Sequence, residues 1–341
     1  MPQMILKPNI SLKPFNTFGI DATASDFIEI DSIETLQFVI DNFNLANRKT
    51  LVIGGGSNIL LTKNFDGLVL KMSIKGIEKV KEDNDYVYLK AMAGETWHGF
   101  VMHCVANNYS GVENLSLIPG CVGAAPMQNI GAYGVEIKDT CFEVEAYNIE
   151  TNEVTIFSNA DCKFGYRESI FKHEAKGKYI ISSVTFKLAK QAKINVSYGA
   201  IQDVLKSKNI ENPTIQNVSE AVIAIRESKL PNPKVLGNAG SFFKNPEVPT
   251  EEYLTLKEKH PTLVGYKTSE THTKLAAGWL IEQCGWKGKV VGNTGSHKDQ
   301  ALVLVNYGNA TGNEIWKLAM QIQESVFEKF GVTIVPEVNV I

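Results

Sequence analysis

LIPGCVGAAPMQNIGAYG, residues 117–134, carries four glycines, two prolines and three alanines, and no charged side chain. Ordering a backbone costs about 1–2 kcal/mol per residue, so a bare loop of this length needs something to hold it. Its small residues allow a close approach by something broad and flat. A second glycine turn, GGGSN at 54–58, follows the strand-like TLVI and could lay backbone N–H groups against a phosphate. It is not a P-loop, because no GK[ST] follows, and the third glycine of a dinucleotide fingerprint would fall on Ile59. A glycine turn alone is more often structural. Together the two loops suggest a cofactor with a pyrophosphate and a ring system, and the pattern leaves both readings open.

Around these loops the composition is that of a globular protein, with 44% apolar and 21% charged residues over 341 positions. That length favours two or three domains. Lys and Arg number 34 against 37 Asp and Glu, a net charge of −3. Nothing in that balance recruits nucleic acid or an anionic membrane, though a locally basic pocket for a phosphorylated ligand is allowed. The five cysteines (104, 121, 141, 162 and 284) show no CxxC spacing, and the six histidines form no metal-spaced pair, so no metal is expected. Pro2, Pro8 and Pro14 interrupt the N-terminus, and no apolar run is long enough for a signal peptide or a membrane span. A cytoplasmic protein is expected.

Ser32 ahead of IETLQFVIDNF predicts a capped helix, and NEIWKLAMQIQESVFEKFG (313–331) predicts an amphipathic one ended by Gly331. Helices are also expected over 95–108 and 273–285. Strands are expected at 50–53, 68–72, 86–94, 179–188 and 301–306, with a hairpin over 143–157 and an extended C-terminus limited by Pro336. Strands and helices mix without regular βαβ alternation, which argues for α+β domains. KLPNPK at 229–234 is the candidate domain boundary.

Four further stretches could carry chemistry. CKFGYRESIFK places Tyr166 and Arg167 after a glycine, where an arginine fork suits a carboxylate or phosphate and a surface ion pair is the plainer reading. Tyr198 precedes a glycine and reads as a turn aromatic, while Glu337 sits in an apolar terminal strand, at its edge or in a pocket. NAGSFFKNP, residues 238–246, sets Ser241 between Gly240 and the pair Phe242 and Phe243. No GxSxG elbow surrounds Ser241, and no histidine can be tied to it, which argues against a serine hydrolase.

In order along the chain, KPFNTFGI (13–20), VIGGGSNIL (52–60), ENLSLIPGCVGAAPMQNIGAYG (113–134), FGYRESIFK (164–172), SKLPNPKVLGNAGSFFKNP (228–246), KLAAGWLIEQCG (274–285), HKDQALVLVN (297–306) and PEV (336–338) resemble the UDP-N-acetylenolpyruvoylglucosamine reductase (MurB) family. The segment around Tyr198 resembles its longer, tyrosine-loop subtype. The resemblance implies a vanillyl-alcohol-oxidase (PCMH) type FAD-binding fold of two subdomains, 1–70 and 71–228. It adds a C-terminal α+β substrate-binding domain, 229–331, and a terminal strand, 332–341, carrying Glu337.

It also implies non-covalent FAD, NADPH as hydride donor, and reduction of UDP-N-acetylglucosamine enolpyruvate to UDP-N-acetylmuramate by a monomeric enzyme. Hydride would pass from flavin N5 to C3 of the enolpyruvyl group. Arg167, with Glu337 beside it, would meet the charge that spreads into the substrate carboxylate, and Ser241 would give the proton to C2. Tyr198, Lys229 and Asn245 would hold the UDP portion. Gly54, Gly56, Ser57, Asn58, Gly123, Gln128, Asn129, Ile130, Gly131, Arg226 and Gln300 would hold FAD. One departure is visible: relatives of this subtype often carry serines at Ala124 and Ala125, so backbone N–H groups would replace a hydroxyl contact there. An FAD-dependent oxidase of the same fold family is the alternative.

Overall fold

Ser32 caps the helix Ile33–Phe43 as its sequence predicts, its hydroxyl accepting from the Thr35 amide, with Leu36, Val39 and Ile40 turned inward. The structure is a computed structural model that describes residues 6–341. It divides into two units. The first comprises residues 6–10, Ala24–Gly55 and Asp66–Ser228; the second comprises Ser11–Thr23, Gly56–Phe65 and Lys229–Ile341.

In the first unit, strands lie in the order Lys7–Ser11, Thr23–Ile30, Phe65–Met72, Thr50–Ile53, the last two parallel. Ile28, Ile30, Leu68 and Leu70 pack with the apolar face of the capped helix. A five-stranded antiparallel sheet follows, ordered Val154–Ser158, Cys141–Asn148, Tyr179–Ala189, Tyr86–Met92, Ile77–Glu82. The helix Trp97–Ala106 lies over its core, where Trp97, Phe100 and Phe186 pack ring against ring. Trp97 donates its indole N–H to the Leu115 carbonyl at 2.9 Å, which anchors the start of the long glycine-rich segment.

That segment is more ordered than its composition suggests: a 3₁₀ turn spans Val122–Gln128, and a short hairpin pairs Gly131–Ala132 with Val135–Glu136. The sequence reading missed three helices: Thr250–Lys259 in the second unit and, here, Gly199–Ser207 and Ile215–Lys229. Ile201 and Leu205 on one, and Val218, Val222 and Ile225 on the other, close a small core of their own. Their i, i+4 spacing was legible, but Tyr198-Gly199 and Pro213 read as turn signals and hid it.

In the second unit an antiparallel sheet runs Gly237–Ser241, Val303–Asn306, Thr294–Ser296, Val290–Val291. The helix Gly312–Phe330 packs on it through Ile315, Leu318, Ala319, Ile322 and Val326. Thr311 and Glu314 form a reciprocal capping box, and Gly331 ends the helix at φ 70°. The helix expected over 273–285 is shorter than predicted. His272–Leu275 is a strand between Glu247–Pro249 and Gly265–Lys267, and the helix is Ala277–Gln283. Thr273 and Leu275 alternate inward, a period of two too brief to stand out beside the apolar helix that follows. Asn339–Val340 pairs in parallel with Ile59–Leu60, and Pro336 bridges Phe243.

Candidate active site

The glycines of the two loops are used first against their own chain. A Cβ on Gly54 would lie 3.1 Å from Cys121 Cβ, on Gly55 3.0 Å from Gly120 Cα, and on Gly123 2.5 Å from Ala93 Cβ. Within the first unit, then, backbone packs on backbone where a side chain would separate the loops. The loop amides are also committed: Val122 donates to Glu95 O, Gly123 to Ala93 O and Ala124 to Cys121 O, at 2.9–3.0 Å. The Ala124 amide is therefore not the group that replaces a hydroxyl contact there.

Asn129 is fully buried at φ 47°. Its Nδ2 donates to Glu136 Oε2 and Gly165 O, each at 2.9 Å, and its Oδ1 accepts from the Lys138 amide. This brings the Arg167 turn against the hairpin, and Arg167 Nη2 donates to Gly131 O at 2.8 Å. Arg167 itself sits at φ 56°, with its guanidinium 5.3 Å from the Tyr166 ring. An open cavity of about 510 Å³ is lined here by Gly131, Tyr133, Glu136, Lys138, Tyr166 and Arg167. Gln128 and Ile130 are half-buried on the same segment, Ile130 against the core.

Arg226 reaches the loop from the helix Ile215–Lys229, with Nε donating to Leu117 O at 3.2 Å. Burial pushes its guanidinium below the usual value, and the facing Tyr133 hydroxyl opposes that shift. The same burial raises the Tyr133 phenol. The Leu117 amide donates to His98 Nδ1 at 3.0 Å, so this residue, at φ 57°, is held on both sides. Tyr198 stands exposed at the position just before its helix, its ring edge-on to Tyr133 at 5.1 Å.

In the second unit a closed ring of hydrogen bonds joins segments far apart in sequence. The Thr17 amide donates to Gly56 O at 3.1 Å, and Thr17 O accepts from the Asn238 amide at 3.0 Å. From Asn238 the chain runs through Gly240 and Ser241 to Phe242, whose carbonyl accepts from the Glu337 amide at 2.8 Å. Glu337 O accepts from Asn58 Nδ2 at 3.4 Å, and Asn58 O accepts from the Asn339 amide, which returns the ring to the glycine turn. Phe242 and Phe243 are fully buried and anchor it.

Ser241 is half-buried, and its hydroxyl bonds to no other group among the described residues. Asn245 caps the helix Ala277–Gln283, its Oδ1 accepting from the Ala277 amide at 3.0 Å. Gln300 Oε1 lies 3.2 Å from where Gly278 would carry a Cβ, so a side chain there would displace it. Lys229 is exposed at the end of its helix.

The glycine turn tests the fit to a phosphorylated cofactor. Gly56 is buried at φ 62°, and a Cβ on it would lie 1.9 Å from Phe15 O. Among the described residues, neither its amide nor the amide or hydroxyl of Ser57 meets a hydrogen-bond partner. Buried donors without acceptors are costly unless a ligand satisfies them, and adjacent N–H groups at a turn suit a phosphate. The residues present fit FAD. No cluster of metal-ligating side chains occurs among the described residues.

Residues 25–157 match the FAD binding domain family, and residues 232–341 match the C-terminal domain of UDP-N-acetylenolpyruvoylglucosamine reductase. A relative of that name from Flavobacterium johnsoniae is 55% identical over 339 residues, covering 99% of this chain and 100% of its own. The chain belongs to the UDP-N-acetylenolpyruvoylglucosamine reductase family. A member from Chromobacterium violaceum is 49% identical over 97% of both chains. The crystal structure of the Thermus caldophilus reductase (MurB) superposes with a TM-score of 0.68 over 99% of both chains at 22% identity, so the fold is shared.

The expected architecture therefore holds: this reductase-family chain has a vanillyl-alcohol-oxidase type FAD-binding fold and a C-terminal α+β domain. Sequence reasoning did not single out Thr17, His98 or Asn238. Thr17 and Asn238 lie inside quoted motifs, and an asparagine two residues before a glycine is a recognisable turn signal. His98 carried none, because its partner is a backbone amide.

Proposed function

We propose that this chain is an NADPH-dependent flavoenzyme that reduces UDP-N-acetylglucosamine enolpyruvate to UDP-N-acetylmuramate, in the supply of peptidoglycan precursors. The observation that carries the mechanism is the uncommitted Ser241 hydroxyl, on a strand bonded to the Glu337 segment. Bound FAD would supply the hydride-transfer chemistry that links NADPH to C3 of the enolpyruvyl group. Arg167, braced at Gly131 O, receives the substrate carboxylate as charge builds on it, and Glu337 assists. Ser241 Oγ–H gives its proton to C2, and the alkoxide left on Ser241 is reprotonated from water.

Tyr198, Lys229 and Asn245 hold the UDP portion, with Lys229 as a point charge on the diphosphate. Gly54, Gly56, Ser57 and Asn58 hold FAD from the first loop. Gly123, Gln128, Asn129, Ile130 and Gly131 hold it from the second, joined by Arg226 and Gln300. Because Asn129 uses its side chain within the protein, its share falls to the backbone. In this reading 1–70 and 71–228 are the FAD subdomains, 229–331 binds substrate, and 332–341 brings Glu337. The enzyme works as a cytoplasmic monomer without nucleic-acid or membrane partners.

The purified protein is expected to be yellow and to oxidise NADPH only when the enolpyruvyl sugar nucleotide is present. Turnover with oxygen alone would overturn the assignment in favour of an oxidase.

A further inference from the structure

We infer that Asn238 is the positioning residue of Ser241, a step that rests on the proton-donor reading above. The strand pairing steps irregularly at this point: Asn238 faces Val305 and Ser241 faces Val303, so Ala239 and Gly240 together oppose Leu304. Such a bulge bends a strand and re-aims the side chain that follows it. Gly240 takes φ 71°, a left-handed conformation natural to glycine, and a Cβ there would meet nothing within 4 Å. Its conformation, rather than crowding, is what the turn requires.

The side chain of Asn238 holds that conformation. It is 4% exposed. Its Oδ1 accepts from the Gly240 amide at 2.9 Å, and its Nδ2 donates to Leu236 O at 2.8 Å and Pro231 O at 3.1 Å. An amide is required: one end faces an N–H and the other faces two carbonyls. The Asn238 amide is itself pinned by Thr17 O, and Thr17 donates to Gly56 O. Asn238 is thus the joint at which the glycine turn, the Pro231 segment and the Ser241 bulge meet. It touches no reacting atom. It sets where the Ser241 hydroxyl points.

A double-mutant cycle with anaerobic half-reactions tests this, using the flavin-loaded enzyme. Asn238→Ala is expected to leave flavin reduction by NADPH within about twofold and to slow reoxidation by substrate by at least about thirtyfold. Ser241→Ala should slow the same step, and adding Asn238→Ala to it should cost nothing further. If Ser241→Ala reoxidises normally, the proton-donor reading fails. If that variant is slow while Asn238→Ala is normal, or if the two losses multiply, the positioning role fails alone.

A second readout needs no turnover. In a Ser241→Cys background, adding Asn238→Ala should change the rate of iodoacetamide alkylation at position 241 by more than about fivefold. An unchanged rate overturns the proposal. Should the alanine variant not fold, Asn238→Asp keeps the acceptor for Gly240 and loses the amide donors. It is expected to give the same split between half-reactions, and parental reoxidation in it would also refute the role.

Discussion

The Glu337 amide donates to the carbonyl of Phe242, the residue after Ser241, at 2.8 Å. With the bridge between Phe243 and Pro336 and the bond from the Lys244 amide to Val335 O, it makes the C-terminal segment a partner of the Ser241 strand. A carboxyl-bearing residue and a free hydroxyl are thereby fixed by backbone pairing, without depending on long, mobile side chains. Anchoring on rigid elements is what a preorganised site needs.

Because the Ser241 hydroxyl supports no other group, Ser241→Ala should leave the melting temperature nearly unchanged. It should let NADPH bleach the flavin and slow reoxidation by substrate on the order of 10²–10³-fold. Stopped-flow absorbance of each half-reaction checks this. Loss of flavin reduction instead would show that the role assigned to Ser241 is wrong.

Gly56 and Gly240 both have positive φ but differ in surroundings. Gly56→Ala puts a Cβ 1.9 Å from Phe15 O and must shift the glycine turn proposed to hold FAD, so bound flavin should fall sharply. Gly240→Ala meets no atom and carries only the left-handed penalty of about 1–2 kcal/mol. Flavin content and thermal melts of the two variants separate the effects; equal flavin loss would contradict the distinction.

Asn245 accepts from the Ala277 amide and is proposed to hold the UDP portion, and one substitution can part the two. Asn245→Asp keeps an acceptor for the Ala277 amide and should hold stability, while its charge opposes a diphosphate and raises the KM for substrate. Asn245→Ala loses the cap as well and should cost about 1 kcal/mol of stability. An unchanged KM in both would remove Asn245 from the substrate site.

His98 gives the pH dependence a sign. Burial first, and the Arg226 charge second, hold its imidazole below the ordinary 6.5. The folded state therefore favours the neutral ring, whose Nδ1 accepts from Leu117. The contribution is complete above pH 6.5 and is lost as pH falls through the lower folded value, because the unfolded chain binds the proton more readily. His98→Asn keeps an acceptor without titrating there, and should flatten the fall in melting temperature on acidification. A profile identical to that of the parent would exclude His98 as a source.

The thiols offer a check on the core. Cys104, Cys121, Cys141 and Cys162 are buried, and burial raises each, Cys162 to about 12. Only Cys284 is half-exposed. Peptide mapping after brief alkylation of the native protein should find label at Cys284 far ahead of the other four.

The sequence by itself determined the locally encoded elements and the family. Ser32 caps the helix its position announced, Gly331 ends another, and Phe242 and Phe243 are buried as an adjacent aromatic pair must be. These follow from periodicity, caps and side-chain transfer, which act over a few residues. The loop glycines were visible, but what they face was not: Gly55 needs no side chain because Gly120 is there, and Gly56 because Phe15 is. The strand at His272–Leu275 was likewise hidden, since its partners lie outside any local window. Only the tertiary structure closed the ring from Gly56 through Thr17, Asn238 and Phe242 to Glu337 and Asn58. Its bonds join segments up to 281 positions apart. No local preference encodes such pairings; they exist because the packed unit leaves each of those polar groups an acceptor or donor to meet.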